Sequence, residues 1–259
     1  MRPNKPKKEE TSVVIYGKHP VLEKLASDPS RIEKILIKDT LDRELMAEVK
    51  LLASNAGVEF VMTTERTLRE IANGGTHQGL AARITAVPYI ELADWLVSVK
   101  EIENPAVVIL DELEDPQNVG AIIRSAVAAG IHGIIIPKHR QAPLSGAAYK
   151  SSAGTIDKIP LIRVTNINDS IRILKDNKFW VVGLDGSAKE SIWTQDLDMP
   201  ICFIVGSEGD GMRLKTGELC DFLVRIPMAN NVESLNASVS AALVMYEWKR
   251  RIQPKPKKK

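Results

Sequence analysis

The second half of the chain alternates between short apolar runs and stretches with helical spacing, and this alternation is what most constrains the fold. The apolar runs typical of strands are 107–110, 132–137, 161–164, 179–184, 201–205 and 222–226. Strands that alternate with helices at this spacing form parallel βαβ units, with helices on both faces of the sheet. The sequence therefore predicts an α/β domain built on a mostly parallel sheet.

Two of these runs, Ile201–Val205 and Phe222–Ile226, end in loops rich in Gly, Ser, Asn and Glu. The carboxyl ends of parallel strands are where α/β proteins bind ligands. Glycines 206, 209 and 211 let the backbone approach a ligand closely. The remaining loop residues offer hydrogen-bonding groups with little charge, so the loops suit a small polar organic ligand better than a metal.

The glycine-rich loop fits none of the common nucleotide or hydrolase motifs. Gly206 and Gly211 have the spacing of a P-loop, but Met212 and Arg213 follow where Lys and Ser/Thr are required. The order of glycines differs from G-x-G-x-x-G, and Val205 stands where a nucleophile elbow needs its first glycine. From three glycines alone, a plain turn is the simpler interpretation.

Three segments, taken together, resemble the motifs of the SpoU (TrmH-type) RNA 2′-O-ribose methyltransferases. The first is DELEDPQNVGAIIRSAVAAG at 111–130, and the second is IVGSEGDGM at 204–212. The third begins with IPM at 226–228 and continues six residues later into LNAS at 235–238. The resemblance covers about 107–251. It implies an α/β-knot (SPOUT) domain with a trefoil knot, a threading that packing rules alone would not propose.

The resemblance also implies the chemistry: methyl transfer from S-adenosylmethionine to a ribose 2′-hydroxyl, with no metal. The implied cofactor-binding positions are Gly206, Ile226 and Leu235. The implied active-site polar residues are Asn118, Arg124, Glu208, Ser234 and Asn236.

Arg124 is the residue that the family favours for activating the 2′-hydroxyl. A guanidinium stays protonated in water, which makes a literal base awkward. Arg124 could equally hold the adjacent phosphate and stabilise the developing alkoxide. From the sequence alone, pairing with a carboxylate on a neighbouring helix is a further alternative. We expect Asn118 just before a helix at 121–129, with Gly130 ending that helix.

Residues 11–87 predict a smaller α/β domain. YGKHPVLE at 16–23 and THQGLAA at 76–82 resemble the substrate-binding domain that precedes many SpoU catalytic domains and looks like an RNA-binding ribosomal-protein fold. The candidate RNA contacts are Lys18, His19, His77 and Gln78, and the alternative for each is an ordinary solvated loop residue. Residues 88–105, bounded by prolines, predict a linker to a methyltransferase domain at 106–251.

Charge is unevenly placed along the chain. The net charge is +2, residues 1–10 contribute +2 and residues 249–259 contribute +7, which leaves −7 for the residues between them. Basic tails often contact nucleic acid, and a solubilising terminus is the alternative. Prolines in both tails predict that 1–10 and 252–259 are unstructured.

Several classes of protein are disfavoured by the sequence. The sequence contains no run of eighteen apolar residues, so no membrane span is predicted. Its basic start lacks the apolar stretch of a secretory signal. Two cysteines and four histidines show no metal-ligand spacing, and Cys202 is expected in the core. A cytoplasmic protein fits these features.

Within the family, the N-terminal domain and the length favour the branch that methylates a guanosine ribose in large-subunit ribosomal RNA. The alternatives are a tRNA ribose 2′-O-methyltransferase and a noncatalytic RNA-binding ribosome-assembly factor. Val239, Leu243 and Tyr246 recur at helical spacing, so a helix is predicted there. Its small residues at 237–243 and the resemblance together predict a homodimer through the knotted domain.

Overall fold

A computed structural model of the chain describes residues 12–252 except 208, 210 and 231. The described residues form two compact units: those up to Val87 together with 144–150, and those of 88–143 together with those from Ser151 to Ile252. Apart from Ile252, the basic tails predicted at 1–10 and 252–259 lie outside the described residues, as does Glu208. No helix in the described part of the chain has the length and apolar content that a membrane crossing requires.

The first unit is a four-stranded sheet with helices. Its elements are β1 (Ser12–Tyr16), α1 (Lys18–Ser27), β2 (Ile32–Lys38), α2 (Arg43–Asn55), β3 (Phe60–Thr63), α3 (Glu65–Ile71) and β4 (Leu80–Thr85). The strand order is β1-β4-β2-β3, with β4 antiparallel to both of its neighbours and β2 parallel to β3. The smaller α/β domain predicted in this region is therefore present.

The second unit is built on a seven-stranded sheet. Its elements are α4 (Leu92–Ser98), β5 (Ala106–Asp111), α5 (Pro116–Ala129), β6 (Gly133–Pro137), α6 (Gly146–Ser151), β7 (Leu161–Val164), α7 (Ile167–Asp176), β8 (Trp180–Leu184), β9 (Glu190–Ser191), β10 (Ile201–Gly206), α8 (Leu214–Gly217), β11 (Phe222–Arg225) and α9 (Ala237–Ile252). Helix α6 belongs to the second unit only through Ser151, because its residues 146–150 belong to the first unit. The strand order is β7-β6-β5-β10-β8-β11-β9 and every pairing is parallel, which confirms the predicted sheet.

The strands of this sheet are buried on both faces, which explains their continuous apolar sequences. Helices α4 and α7 pack against alternate strand residues such as Val107 and Ile109. The intervening residues, Val108 and Leu110, are buried as well, so the opposite face is also covered. Helices α5 and α9 pack against each other, and α9 contacts β10.

Residues 88–105, predicted as a linker, pack into the second unit. Ile90 forms an isolated parallel bridge with Ile162. Trp95 is fully buried, and its indole N–H donates to the backbone carbonyl of His132 at 2.9 Å. Gly133 makes room for this ring, because a Cβ there would lie 2.6 Å from the indole nitrogen of Trp95. The segment is therefore an integral layer of the unit that follows it.

Helix α5 begins at Pro116, five residues before the predicted start. Asp115 caps it by accepting the backbone N–H of Gln117 at 2.8 Å, and Pro116 sits where a helix has no N–H to lose. Asn118 therefore lies in the first turn and is buried, so the expectation that it precedes the helix is wrong. Gly130 ends the helix in the left-handed conformation, as predicted.

Helix α9 is present, but the residues that predicted it are not its buried face. The buried residues of the helix are Ala237, Ala241, Val244, Met245, Glu247 and Trp248. Val239 and Tyr246 are 45% and 50% exposed, and Leu243 is half-buried. These three residues form an apolar stripe on the outer side of the helix, called the α9 stripe below.

Candidate active site

A cavity of about 380 Å³ lies at the carboxyl ends of β8, β10 and β11. Gly206, Ile226 and Leu235, the three predicted cofactor positions, all line it, as does Ser234. Its further lining residues include Leu184, Asp185, Gly186, Val205, Val224, Arg225, Met228 and Glu233. Cavities of roughly 300–1,000 Å³ with mixed apolar and polar walls hold small organic ligands.

The glycine-rich loop closes on itself through its backbone. Ser207 and Gly211 exchange two N–H to carbonyl hydrogen bonds, each 3.1 Å, and Gly211 has a φ of 68°. A Cβ on Gly206 would lie 2.4 Å from the carbonyl carbon of Gly211. Gly206 is thus required by the loop itself, which is a firmer reason than the ligand approach inferred from sequence.

A third strand end contributes a wall that the sequence reasoning missed. After β8 the chain turns at Asp185, whose Oδ1 accepts the N–H and the hydroxyl of Ser187, each at 2.7 Å. The signal was available, because an apolar run followed by Asp-Gly-Ser resembles the two strand ends that were singled out. Asp185 and Gly186 lie outside the three motifs, so the resemblance did not point to them.

Asn118 and Asn236 meet although 118 residues separate them. The amide of Asn236 donates to Oδ1 of Asn118 at 3.0 Å. Asn236 also begins α9, since its Oδ1 accepts the backbone N–H of Ser238 at 2.9 Å. This contact joins the first motif to the third at the ends of two packed helices.

A second link joins the first motif to the residue that follows the second. Arg213 bridges Oδ1 of Asp111 at 2.7 Å and Oε1 of Glu112 at 3.1 Å. The side chain of Asp111 is fully buried. The pair ties the carboxyl end of β5 to the segment just after the glycine-rich loop, so it holds the motifs in register.

Arg124 is exposed on α5, although Ile123 and Ala126 on either side of it are buried. No described residue forms an ion pair or hydrogen bond with it. The alternative of a helix carboxylate as its partner therefore finds no support among the described residues. Arg124 does not line the cavity itself.

In the first unit, His77 and Gln78 have structural roles. His77 is 9% exposed; its Nε2 contacts Oε1 of Glu65 at 3.2 Å, and its Nδ1 accepts the N–H of Gly79 at 3.1 Å. Gln78 accepts the backbone N–H of Lys18 at 3.0 Å, at the start of α1. The structure thus brings Lys18 and Gln78 together, while His19 is exposed beside them.

This loop borders a second cavity, of about 440 Å³, which Lys38, Glu65 and Arg69 also line. Lys38 bonds Glu65 at 2.9 Å, and this contact lowers the pKa of the Glu65 carboxyl from its ordinary value. The loop that contains His77 and Gln78 therefore lies beside a cluster of charged side chains.

Metal and thiol chemistry find no support in the described part of the chain. It holds no group of three His, Cys, Asp or Glu placed to bind a metal ion. Cys202 is fully buried, as predicted, and burial raises the pKa of its thiol well above the ordinary value. Burial, with a smaller effect of Asp221, raises the pKa of Cys220 to about 12. Both thiols are therefore poor nucleophiles.

Substitutions at Asn236 separate its two roles. Asn236→Ala removes the cap of α9 and is expected to lower the free energy of unfolding by about 1 kcal/mol. Asn236→Asp keeps a capping oxygen but loses the amide that donates to Asn118, so it should retain stability and lose activity. Urea unfolding and methyl transfer measured on both variants check this. Equal stability of the Ala variant and the unchanged protein would contradict the capping role.

Comparison with known proteins agrees with this geometry. The SpoU rRNA Methylase family matches residues 105–246. The RNA 2′-O ribose methyltransferase substrate binding family matches residues 14–90. The two matches cover the parts of the chain in which the three motifs and the two N-terminal segments lie.

Two relatives span nearly the whole chain. The YacO protein of Bacillus subtilis (strain 168), assigned to the TrmH family of tRNA/rRNA methyltransferases, is 41% identical over 241 residues, which are 93% of this chain and 96% of that protein. The 23S rRNA (guanosine-2′-O-)-methyltransferase RlmB of Yersinia pestis is 37% identical over 237 residues, 91% of this chain and 96% of that protein.

Solved structures show the same fold. The SpoU methyltransferase AviRb from Streptomyces viridochromogenes, solved in complex with the cofactor AdoMet, has a TM-score of 0.77 at 24% identity, over 93% of this chain and 90% of that one. An AdoMet-bound rRNA methyltransferase from Sinorhizobium meliloti has a TM-score of 0.75 at 24% identity, over 94% and 89%. On the sequence match, the extent of its relatives and the shared fold, the chain belongs to the SpoU rRNA methylase family of RNA 2′-O-ribose methyltransferases.

Proposed function

We propose that the protein transfers a methyl group from S-adenosylmethionine to the ribose 2′-hydroxyl of a guanosine in large-subunit ribosomal RNA. The observation that carries the proposal is the convergence of Gly206, Ile226 and Leu235 on one cavity at the carboxyl edge of the sheet. The choice of substrate is supported by the Yersinia pestis relative, which is named a 23S rRNA (guanosine-2′-O-)-methyltransferase.

The cavity fits the proposed cofactor in size and in chemical character. Apolar side chains from three strands, Leu184, Val205 and Val224, can cover a purine ring. Gly206, Ser207, Gly209 and Gly211 also line the cavity, and we propose that backbone groups there bond the sugar and the amino acid part. When bound, S-adenosylmethionine supplies a methyl group that its sulfonium already makes electrophilic, so the protein has to orient the ribose and assist loss of the hydroxyl proton.

We assign the polar residues of the three motifs to the ribose side of the reaction. Asn118 and Asn236 hold each other in place, and Ser234 lines the cavity two residues earlier. Arg124, exposed and without a partner among the described residues, is available to an RNA phosphate and to the oxygen on which charge develops. Glu208 belongs to the proposed site by its motif and lies outside the described residues.

The first unit is proposed to bind the RNA at positions distant from the nucleotide that reacts. Its match to a substrate-binding family supports this role. Lys18 and His19, at the start of α1, are the proposed direct contacts. His77 and Gln78 are proposed to act by shaping the loop that presents them, since both make hydrogen bonds within the unit.

Mapping of 2′-O-methyl positions tests the proposed substrate. Ribosomal and transfer RNA from cells with and without the protein are compared nucleotide by nucleotide. We expect loss of one guanosine 2′-O-methyl in large-subunit rRNA and an unchanged tRNA pattern. A tRNA position lost instead would favour the alternative, a tRNA ribose methylase, which the tRNA/rRNA name of the Bacillus subtilis relative supports.

The basic C-terminal residues are proposed to add affinity that does not depend on sequence. Residues 253–259 carry four lysines, whereas the part of the chain between the two tails is acidic. Deleting 253–259 should weaken RNA binding and lower the slope of log affinity against log salt by up to about 3. The methylated nucleotide should stay the same. A tail with serine in place of the four lysines is the matched control, and an unchanged slope in both variants would exclude the tail as a contact.

A homodimer is proposed through the second unit, whose chain we also propose to be knotted as in the family. The α9 stripe supports the dimer, because its apolar residues are exposed next to the small residues at the start of the helix. Light scattering should give twice the chain mass at micromolar concentration, and Tyr246→Glu should shift it toward the monomer. A fully active monomer of the unchanged protein would rule the dimer out. A cytoplasmic location is part of the same proposal.

A further inference from the structure

Asp185 lines the cavity at the end of β8. Its Oδ1 is occupied by the N–H and the hydroxyl of Ser187, both at 2.7 Å. Among the described residues, Oδ2 has no hydrogen-bond or ion-pair partner. The side chain is half-buried, and its residue lines the cavity. The turn therefore fixes the carboxylate while one of its oxygens stays available to a ligand.

The charges of the cavity are not balanced. Among its described lining residues, Asp185 and Glu233 carry negative charge and Arg225 carries positive charge. A net negative wall favours a cation over a neutral molecule of the same shape. S-adenosylmethionine carries one net positive charge, from a sulfonium, an ammonium and a carboxylate. The product S-adenosylhomocysteine has lost the sulfonium charge with the methyl group and is neutral overall.

We infer that Asp185 selects the cofactor by charge, favouring S-adenosylmethionine over S-adenosylhomocysteine. The inference rests on the proposed placement of the cofactor in this cavity. The shape of the cavity alone distinguishes the two ligands poorly, because they differ by only one methyl group and one charge. A charged residue such as Asp185 can make the distinction. A site that weakens its hold once the charge is gone also releases its product more readily.

Asp185→Asn is the sharpest test, since the amide oxygen can still accept both hydrogen bonds from Ser187 while the charge is removed. Calorimetry with each ligand, without RNA, gives the two dissociation constants. We expect S-adenosylmethionine to bind about three- to five-fold more weakly, the scale of an ion pair at a partly exposed site. S-adenosylhomocysteine should change less than about two-fold, since its net charge is zero.

Glu190→Gln is the matched control, because Glu190 is an exposed acid on β9, the next strand along the chain, and does not line the cavity. It should leave the ratio of the two constants unchanged. The selectivity is the dissociation constant of S-adenosylhomocysteine divided by that of S-adenosylmethionine. Raising the salt concentration should reduce this selectivity in the unsubstituted protein and leave it nearly constant in Asp185→Asn.

Equal weakening of both ligands would overturn the inference and would make Asp185 a contact to a part that the two molecules share. No change in either ligand would overturn it as well. The proposed placement of the cofactor is judged separately, by Ser240→Trp, which fills the cavity from the first turn of α9. If that variant stays folded and binds both ligands normally, the placement fails, whatever Asp185→Asn shows.

Discussion

Arg124→Lys is expected to lower the single-turnover rate of methyl transfer by at least about two orders of magnitude, the scale of losing one preorganised donor in a transition state. Lysine keeps the positive charge but loses the planar fork that can meet a phosphate and a ribose oxygen together. Affinity for S-adenosylmethionine should barely change, because Arg124 does not line the cavity. RNA affinity should fall only modestly.

Arg172→Lys provides the matched control for this substitution. Arg172 is an exposed arginine on α7 that pairs with Asp169 at 2.6 Å, and it lies outside the three motifs. Its replacement should leave the rate within about two-fold of the unchanged protein, as is usual for surface substitutions. Near-normal turnover of Arg124→Lys would make Arg124 a simple electrostatic clamp. Loss of cofactor binding in Arg124→Lys would instead mean that α5 supports the cavity.

Gly206→Val is expected to abolish binding of S-adenosylmethionine in calorimetry. The new Cβ would lie 2.4 Å from backbone atoms of Gly211 and 2.5 Å from the nitrogen of Met212, so the loop cannot keep its closed form. Backbone atoms cannot move aside as the end of a flexible side chain can, and the two hydrogen bonds between Ser207 and Gly211 are therefore lost. The effect acts through the shape of the cavity.

Gly209→Ala is the comparison within the same loop. A Cβ at Gly209 meets nothing within 4 Å, so alanine should reduce the affinity far less than valine does at Gly206. Circular dichroism and thermal unfolding of both variants show whether the second unit stays folded. A folded Gly206→Val protein with unchanged affinity would place the ligand elsewhere.

The overall architecture was accessible from sequence because the strands of the parallel sheet are buried on both faces and so are continuously apolar. The ends of individual helices were harder to predict, as the start of α5 shows. Asp115 and Pro116 are a cap and a first-turn proline, which together mark the start of α5. The predicted start lies five residues later, because Asn118 and Gly120 were assigned to the loop before the helix. The segment 88–105 was interpreted as a linker because prolines bound it and it carries several charges. Its buried residues Leu92, Trp95 and Val99 lie on one face of a short helix and its C-terminal cap, between those charges.

The contacts within the candidate site could be predicted only in part. Motif resemblance named Asn118 and Asn236, but their contact across 118 residues depends on how α5 and α9 pack, which no local pattern encodes. Asp185 was missed because it belongs to a strand end outside the motifs. The reverse holds for His77, which was named for RNA and is largely buried against Glu65.

The most direct test of the central claim is a single 2′-deoxy substitution in the RNA substrate. A large-subunit rRNA fragment that accepts labelled methyl groups from S-adenosylmethionine is made again with 2′-deoxyguanosine at the mapped nucleotide and nowhere else. We predict that transfer to this RNA stops while its binding to the protein is retained, because only the reacting hydroxyl is missing. Continued methylation of the same nucleotide would contradict transfer to the ribose.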